Sequence, residues 1–287
     1  MDTSTINVAV LRAKLEELKT GKKTENNEFL AKFYNPPYFD SNYQQRSVIR
    51  ILPGIVNENG ETLPFFTETS LHKVSGKNIH CIRKSGKVCP ICEFIKPMWD
   101  SNIDTARQLK ARKRFYMNVI ARERITKNFE TGKEEIKQND GPLIYSCGIK
   151  IFQKILGQML EVVEETGVDI TDLKNGFDFR IKKEMQTSGY PSYDESKVSR
   201  TPSPAGTDEE IDNWIKNLHD LNSLIKYSTY EELLKEVEIL KSSKEYDINA
   251  NKKQPDKTNP VQELESDYED DDKELEAELE KIRKGIR

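Results

Sequence analysis

Long apolar runs are missing from this chain. None of its hydrophobic stretches approaches the roughly 20 residues that cross a bilayer, so a membrane-spanning helix is not expected. The opening Met1-Asp2-Thr3-Ser4 has neither the basic stretch nor the apolar core of a secretion signal. Hydrophobic residues are scarce, at 35% against 33% charged, and mean hydropathy is −0.75. That leaves one ordered unit of roughly 200 residues with polar extensions, or two smaller units, and too little apolar surface to order all 287 residues. Cysteine is scarce as well. Of the four, Cys81, Cys89 and Cys92 crowd together and Cys147 stands alone, a poor disulfide framework but a good metal site in a reducing, intracellular compartment.

The charge that is present is unevenly placed. Net charge is only −4, yet the middle of the chain is basic and Glu263 to Glu280 is acidic, interrupted by Lys273. The apolar pattern gives three parts. Val8, Leu11, Leu15 and Leu18 predict a short helix within a basic N-terminal arm, residues 1–27. Residues 28–240 form the core, and residues 241–287 a flexible acidic tail.

Within the core the expected strands are Ser47–Leu52, Leu63–Thr69, Phe115–Thr126, Glu134–Ile136, Leu143–Cys147 and Phe177–Ile181. Ile151, Ile155, Met159 and Val163 predict a helix of about four turns. Thr207-x-x-Glu210 and Ser228-x-x-Glu231 read as capping boxes opening two more helices, at about residues 207–240. This is a mainly β, α+β pattern. An oligonucleotide-binding barrel is the leading architecture, with a small zinc-binding subdomain at about residues 64–105.

Cys89-Pro90-Ile91-Cys92 sets two thiolates at the bite of one tetrahedral ion, and Cys81 lies within loop reach. The fourth ligand is His72 or His80. Neighbouring side chains of an extended segment point to opposite faces, so His80 would not easily share an ion with Cys81, and His72 is preferred. Four protein ligands leave no open position, so one Zn²⁺ would be structural.

Beside this cluster lies a cationic segment with aromatics inside it. Arg107, Lys110, Arg112, Lys113, Arg114, Arg122, Arg124 and Lys127 face one acidic residue, Glu123, and Phe115 and Tyr116 sit among them. So many cations repel one another unless a polyanion arrives. Tyr145, Tyr190 and Tyr193, interleaved with Lys150, Lys154, Lys182, Lys183 and Lys197, offer rings on which unpaired bases stack. Duplex readers usually present a recognition helix, and none here is basic enough. Single-stranded DNA is therefore the expected partner, with no membrane and no catalysis. The alternatives are a zinc-dependent nuclease or deaminase, or a zinc-ribbon adaptor that binds protein. A deaminase needs a His-x-Glu beside the ion, which neither His72 nor His80 supplies.

Four strings run in one order. They are Ser47-Val48-Ile49-Arg50-Ile51-Leu52-Pro53, the His72, Cys81, Cys89-Pro90-x-Cys92 cluster, Tyr145-x-x-Gly148-x-Lys150-Ile151, and Ser188-Gly189-Tyr190-x-x-Tyr193-Asp194-Glu195-Ser196-Lys197. Together they resemble the single-stranded DNA-binding (helix-destabilising) proteins of T-even-like bacteriophages. The resemblance implies an oligonucleotide-binding barrel that coats unpaired DNA cooperatively in phage replication, recombination and repair, in the cytoplasm of the infected host. It implies His72, Cys81, Cys89 and Cys92 as zinc ligands. It also implies Phe115, Tyr145, Tyr190 and Tyr193 as DNA-facing rings, with Tyr116 where that family has tryptophan, and Lys113 and Arg114 on the cationic strand. Arg12 and Lys14 stand in for a basic self-association cluster missing from Met1 to Thr5. The acidic tail would dock replication and recombination proteins.

Overall fold

The computed structural model describes residues 29–37, 40, 44–57, 59–127, 134–187 and 191–242. The expected N-terminal arm with Arg12 and Lys14, the ring of Tyr190 and the acidic tail beyond Ser242 lie outside the described residues.

Among the described residues eight strands form one sheet: β1 (Gln44–Ile51), β2 (Phe66–Val74), β3 (Lys77–His80), β4 (Arg112–Lys127), β5 (Glu134–Cys147), β6 (Phe179–Met185), β7 (Pro191–Ser192) and β8 (Lys197–Val198). The spatial order is β3-β2-β4-β1-β6-β7, β5 pairs with β4, β8 pairs with β6, and every ladder is antiparallel. Helices accompany it among the described residues: α1 (Pro90–Ile95), α2 (Met98–Ser101), α3 (Ile103–Leu109), α4 (Ile149–Thr166), α5 (Asp208–Lys216) and α6 (Tyr230–Ser242). The mainly β, α+β expectation thus takes the form of an open antiparallel sheet with helices.

β4 organises the molecule. Phe66–Leu71 of β2 pairs with its first residues and Ile49–Ile51 of β1 with Val119–Ala121, while β5 pairs from Phe115 to Lys127. The side chains from Phe115 to Ala121 are all buried, because both faces of the strand are covered. On one face α4 lays Ile151, Phe152 and Ile155 against Phe115, Met117 and Val119. On the other, Ile120 meets Leu52, Ala205 and the α5 residues Ile211 and Trp214.

Several expected elements need correction. Glu134–Ile136 and Leu143–Cys147 are parts of one strand, because a register shift at Val119–Ala121 of β4 carries the pairing past Gly141-Pro142. Only glycine fits at 141, where a Cβ would lie 2.5 Å from Ile120 Cδ1 and 2.9 Å from the Val119 carbonyl. The strand expected at Leu63–Thr69 starts later and runs on through His72 to Val74. The Thr207–Glu210 capping box forms as expected. The second box is displaced by one residue: Thr229, not Ser228, caps α6, its Oγ accepting from Glu232 N–H at 3.2 Å while its own N–H donates to the Glu232 carboxylate at 2.8 Å.

Candidate metal centre and nucleic-acid interface

Three pieces of local structure bring the candidate metal ligands together. β2 places His72 inward, the chain leaves β3 at Cys81, and Cys89 is the N-cap of α1, with Pro90 in the first turn where a missing N–H costs nothing. Cys92 follows at the three-residue spacing that shares a helix face. One ligand atom from each of His72, Cys81, Cys89 and Cys92 lies within 4.8 Å of the others. His72 Nε2 is 3.5 Å from Cys89 Sγ and 3.6 Å from Cys92 Sγ, and Cys81 Sγ is 3.6 Å from Cys92 Sγ. Ligand arms of about 2.3 Å in a tetrahedron give edges of about 3.8 Å, so four donors at these separations fit one ion. The sulfurs are too far apart for disulfides, and all four cysteines are free.

The open choice of histidine closes on His72. Its Nδ1–H donates to the Leu109 carbonyl at 2.7 Å, which fixes the tautomer and leaves Nε2 to the thiols. His80 turns away, its Nδ1 sharing a hydrogen bond with Thr69 Oγ1 at 2.8 Å. Charge is concentrated in the cluster. Burial lowers the His72 imidazole, but the neighbouring Cys81 and Cys89 outweigh it and raise its pKa to about 9. Hydrogen bonds from Cys81 and Cys92 push the Cys89 thiol far down, and those with Cys81 and Cys89 push Cys92 far up. A cation in their midst would replace this sharing of protons. Burial raises the pKa of the Cys147 thiol, which lies in the main core away from the cluster.

The metal module has its own apolar core, and α6 completes it. Leu233, Val237 and Leu240 pack with Val74, Cys81, Ile82, Cys89, Ile91, Ile95, Met98, Ala106 and Leu109. Lys77 Nζ also reaches Glu236 at 3.0 Å. The expected subdomain at residues 64–105 therefore needs α3 and a helix far along the chain. The stop and start signals Pro90 and Asn102, whose side chain accepts from Thr105 N–H, were the legible trace of α1 and α3.

Directly after Leu109 the chain enters a basic groove of about 370 Å³. Its lining includes Lys110, Arg112, Lys113, Arg114, Lys150 and Lys183, with Tyr193 and, among the described residues, no acidic one. Gly148 and the first turn of α4 form its floor, and that turn carries no acid. A helix N-terminus with its N–H groups turned outward favours phosphate. Burial lowers the pKa of the Lys183 ammonium, and repulsion from Arg114 lowers it further. Of the expected DNA contacts, this groove gathers Arg112, Lys113, Arg114, Lys150 and Tyr193.

The remaining expected contacts lie elsewhere. Arg122, Arg124 and Lys197 border a second groove of about 670 Å³, where β1 and β4 splay apart beyond Ala121. Both arginines have partners distant in sequence. Arg122 Nη2 meets Asp178 at 2.8 Å, and Arg124 Nη1 meets Asp140 at 2.8 Å. Three of the expected rings face inward. Phe115 is fully buried with its ring stacked on Phe152 at 3.8 Å and 9°. Tyr145 is buried edge-on to Tyr34, and burial raises its phenol well above the ordinary range. Tyr116 is 8% exposed, packed with Ile144 and Leu221.

No helix of the described residues is long and apolar enough to cross a membrane. No curated protein matches the chain. A family model described as gp32 DNA binding protein like matches residues 44–242, more than half of the sequence.

Proposed function

The chain belongs to the gp32-like DNA-binding protein family, and from that premise we propose that it holds single-stranded DNA in the groove beside the metal module, without catalysing a reaction on it. The observation that carries this reading is the groove itself: six cations and no acid in its lining, at the N-terminus of α4, with Tyr193 at its edge. Phosphates would run along Lys110, Arg112, Lys113, Arg114, Lys150 and Lys183, and bases would stack on Tyr193 and on Tyr190. A ring that needs an open base face favours a single strand over a duplex.

His72, Cys81, Cys89 and Cys92 would hold one Zn²⁺ as a structural cross-link, since four protein donors leave no place for a reacting water. What this chain's residues do around it is mechanical. The Leu109 carbonyl ties His72 to the end of α3, and Lys110 to Arg114 follow at once, so the ligand set braces the first wall of the groove. The antiparallel sheet is read as an oligonucleotide-binding barrel carrying a small zinc-binding subdomain. The wider role is the coating of unpaired DNA in phage replication, recombination and repair within the host cytoplasm. Arg12 and Lys14 would link neighbouring copies, and the tail from Glu263 to Glu280 would engage partner proteins.

The test is a titration of the full chain with oligo-dT and with blunt duplex of equal length at two salt concentrations, with zinc content assayed alongside. Tight, salt-sensitive binding of the single strand is expected. Equal affinity for the duplex would refute the reading.

A further inference from the structure

The Tyr193-Asp194-Glu195-Ser196-Lys197 string is absorbed only in part by the groove, which it lines through Tyr193. Ser196 is a polar residue with 0% exposure. Its Oγ accepts from the Lys182 N–H at 2.9 Å and donates to the Lys182 carbonyl at 3.0 Å. On β6, Glu184 and Met185 pair with β7, and Phe179 and Arg180 pair with β8. Lys182, whose other edge faces Arg46 of β1, falls between these two ladders, opposite the turn that joins β7 to β8. A single hydroxyl thus occupies both backbone groups that a strand partner would otherwise take.

The turn it closes is fixed at further points. Ser196 N–H donates to the Tyr193 carbonyl at 2.8 Å. Ser192 Oγ donates to the Asp194 carboxylate at 2.7 Å and accepts from the Asp194 N–H at 3.1 Å. The Lys182 ammonium pairs with Glu195. The Tyr193 backbone is therefore held on both sides, and its ring rests half-buried against the main core at the rim of the groove.

We propose that Ser196 is a positioning residue for DNA: by clasping both backbone groups of Lys182 it sets the turn that presents Tyr193 to a base. This rests on the groove being the single-strand site. Alanine would leave a buried N–H and carbonyl unmatched, and a larger side chain has no room at a site with no exposure.

A double-mutant cycle on oligo-dT affinity, at two salt concentrations, tests the assignment with Ser196→Ala, Tyr193→Ala and the pair. Each single substitution is expected to weaken binding roughly five-fold or more, the scale of a lost base–ring stack. The slope of log affinity against log salt should stay unchanged, because no phosphate contact is removed. The double variant should bind no more weakly than Tyr193→Ala alone. Additive losses, or a shallower salt slope, would show that Ser196 supports the fold in general and would overturn the inference while leaving the groove reading intact. Should Ser196→Ala not fold, Ser192→Ala frees the other side of the same turn and must show the same non-additivity with Tyr193→Ala. A native chain that fails to prefer single strands would overturn the groove reading and this inference together.

Discussion

Asp178 carries two guanidiniums on one carboxylate. Arg50 Nε donates to it at 2.9 Å with no exposure of its own, and Arg122 approaches the same oxygens from β4. Arg50 also donates to the carbonyls of Asp172 and Ser203, and Arg122 to those of Pro204 and Ala205, so the pair fastens Asp172 and residues 203–205 to the sheet. Burial pulls the Arg50 pKa down and Asp178 restores part of it. Asp178→Ala should cost about 3–5 kcal/mol in urea unfolding, because it strands a buried charge. Phe115→Ala should cost a similar amount, about 3–5 kcal/mol, since it empties the stack on Phe152. The DNA affinity of the folded Phe115→Ala fraction should change little, which separates a core ring from a stacking ring. These two residues mark where sequence reasoning stops. Arg122 looks uncompensated because its acid lies 56 residues away, and Phe115 looks half-exposed because alternation assumes one solvated face, whereas β4 is covered on both.

At the scale of elements, α4 and the Thr207 cap were readable because each announces itself locally, one by a four-turn apolar face and the other by a reciprocal hydrogen-bond box. The metal cluster was readable because its spacing is local too. α1 to α3 were not, being too short to show periodicity. The role of α6 could not be read from its own sequence, since its apolar stripe specifies burial but not against what. Leu233→Ala should destabilise the module by about 2–5 kcal/mol, and the loss to a chelator of a zinc ion held as proposed should speed up accordingly. Thr229→Ala, which removes only the cap, should cost about 1 kcal/mol in thermal or urea unfolding. A chelation rate unmoved by Leu233→Ala would argue that α6 merely rests on the module.

For the whole molecule, the groove sets a ceiling on electrostatics. Six cations on a single strand give a log–log salt slope of at most about −4. A markedly steeper slope would mean that the groove at Arg46, Arg180 and Lys197 also carries strand. Metal removal should release the Leu109 anchor and weaken oligo-dT binding, while the main core keeps its circular dichroism. Unchanged affinity after verified metal loss would break the link between ligand set and groove.

The dependence of the thiol cluster on α6 has a bearing on synthesis. Cys81, Cys89 and Cys92 leave the ribosome long before Leu233, Val237 and Leu240. Chains fold from the N-terminus as they emerge, so the nascent module stays unsealed until α6 has been made. A product that stops short of residue 240 would carry the full ligand set and still lack its lid, which makes a sealed module a certificate of complete translation through that helix.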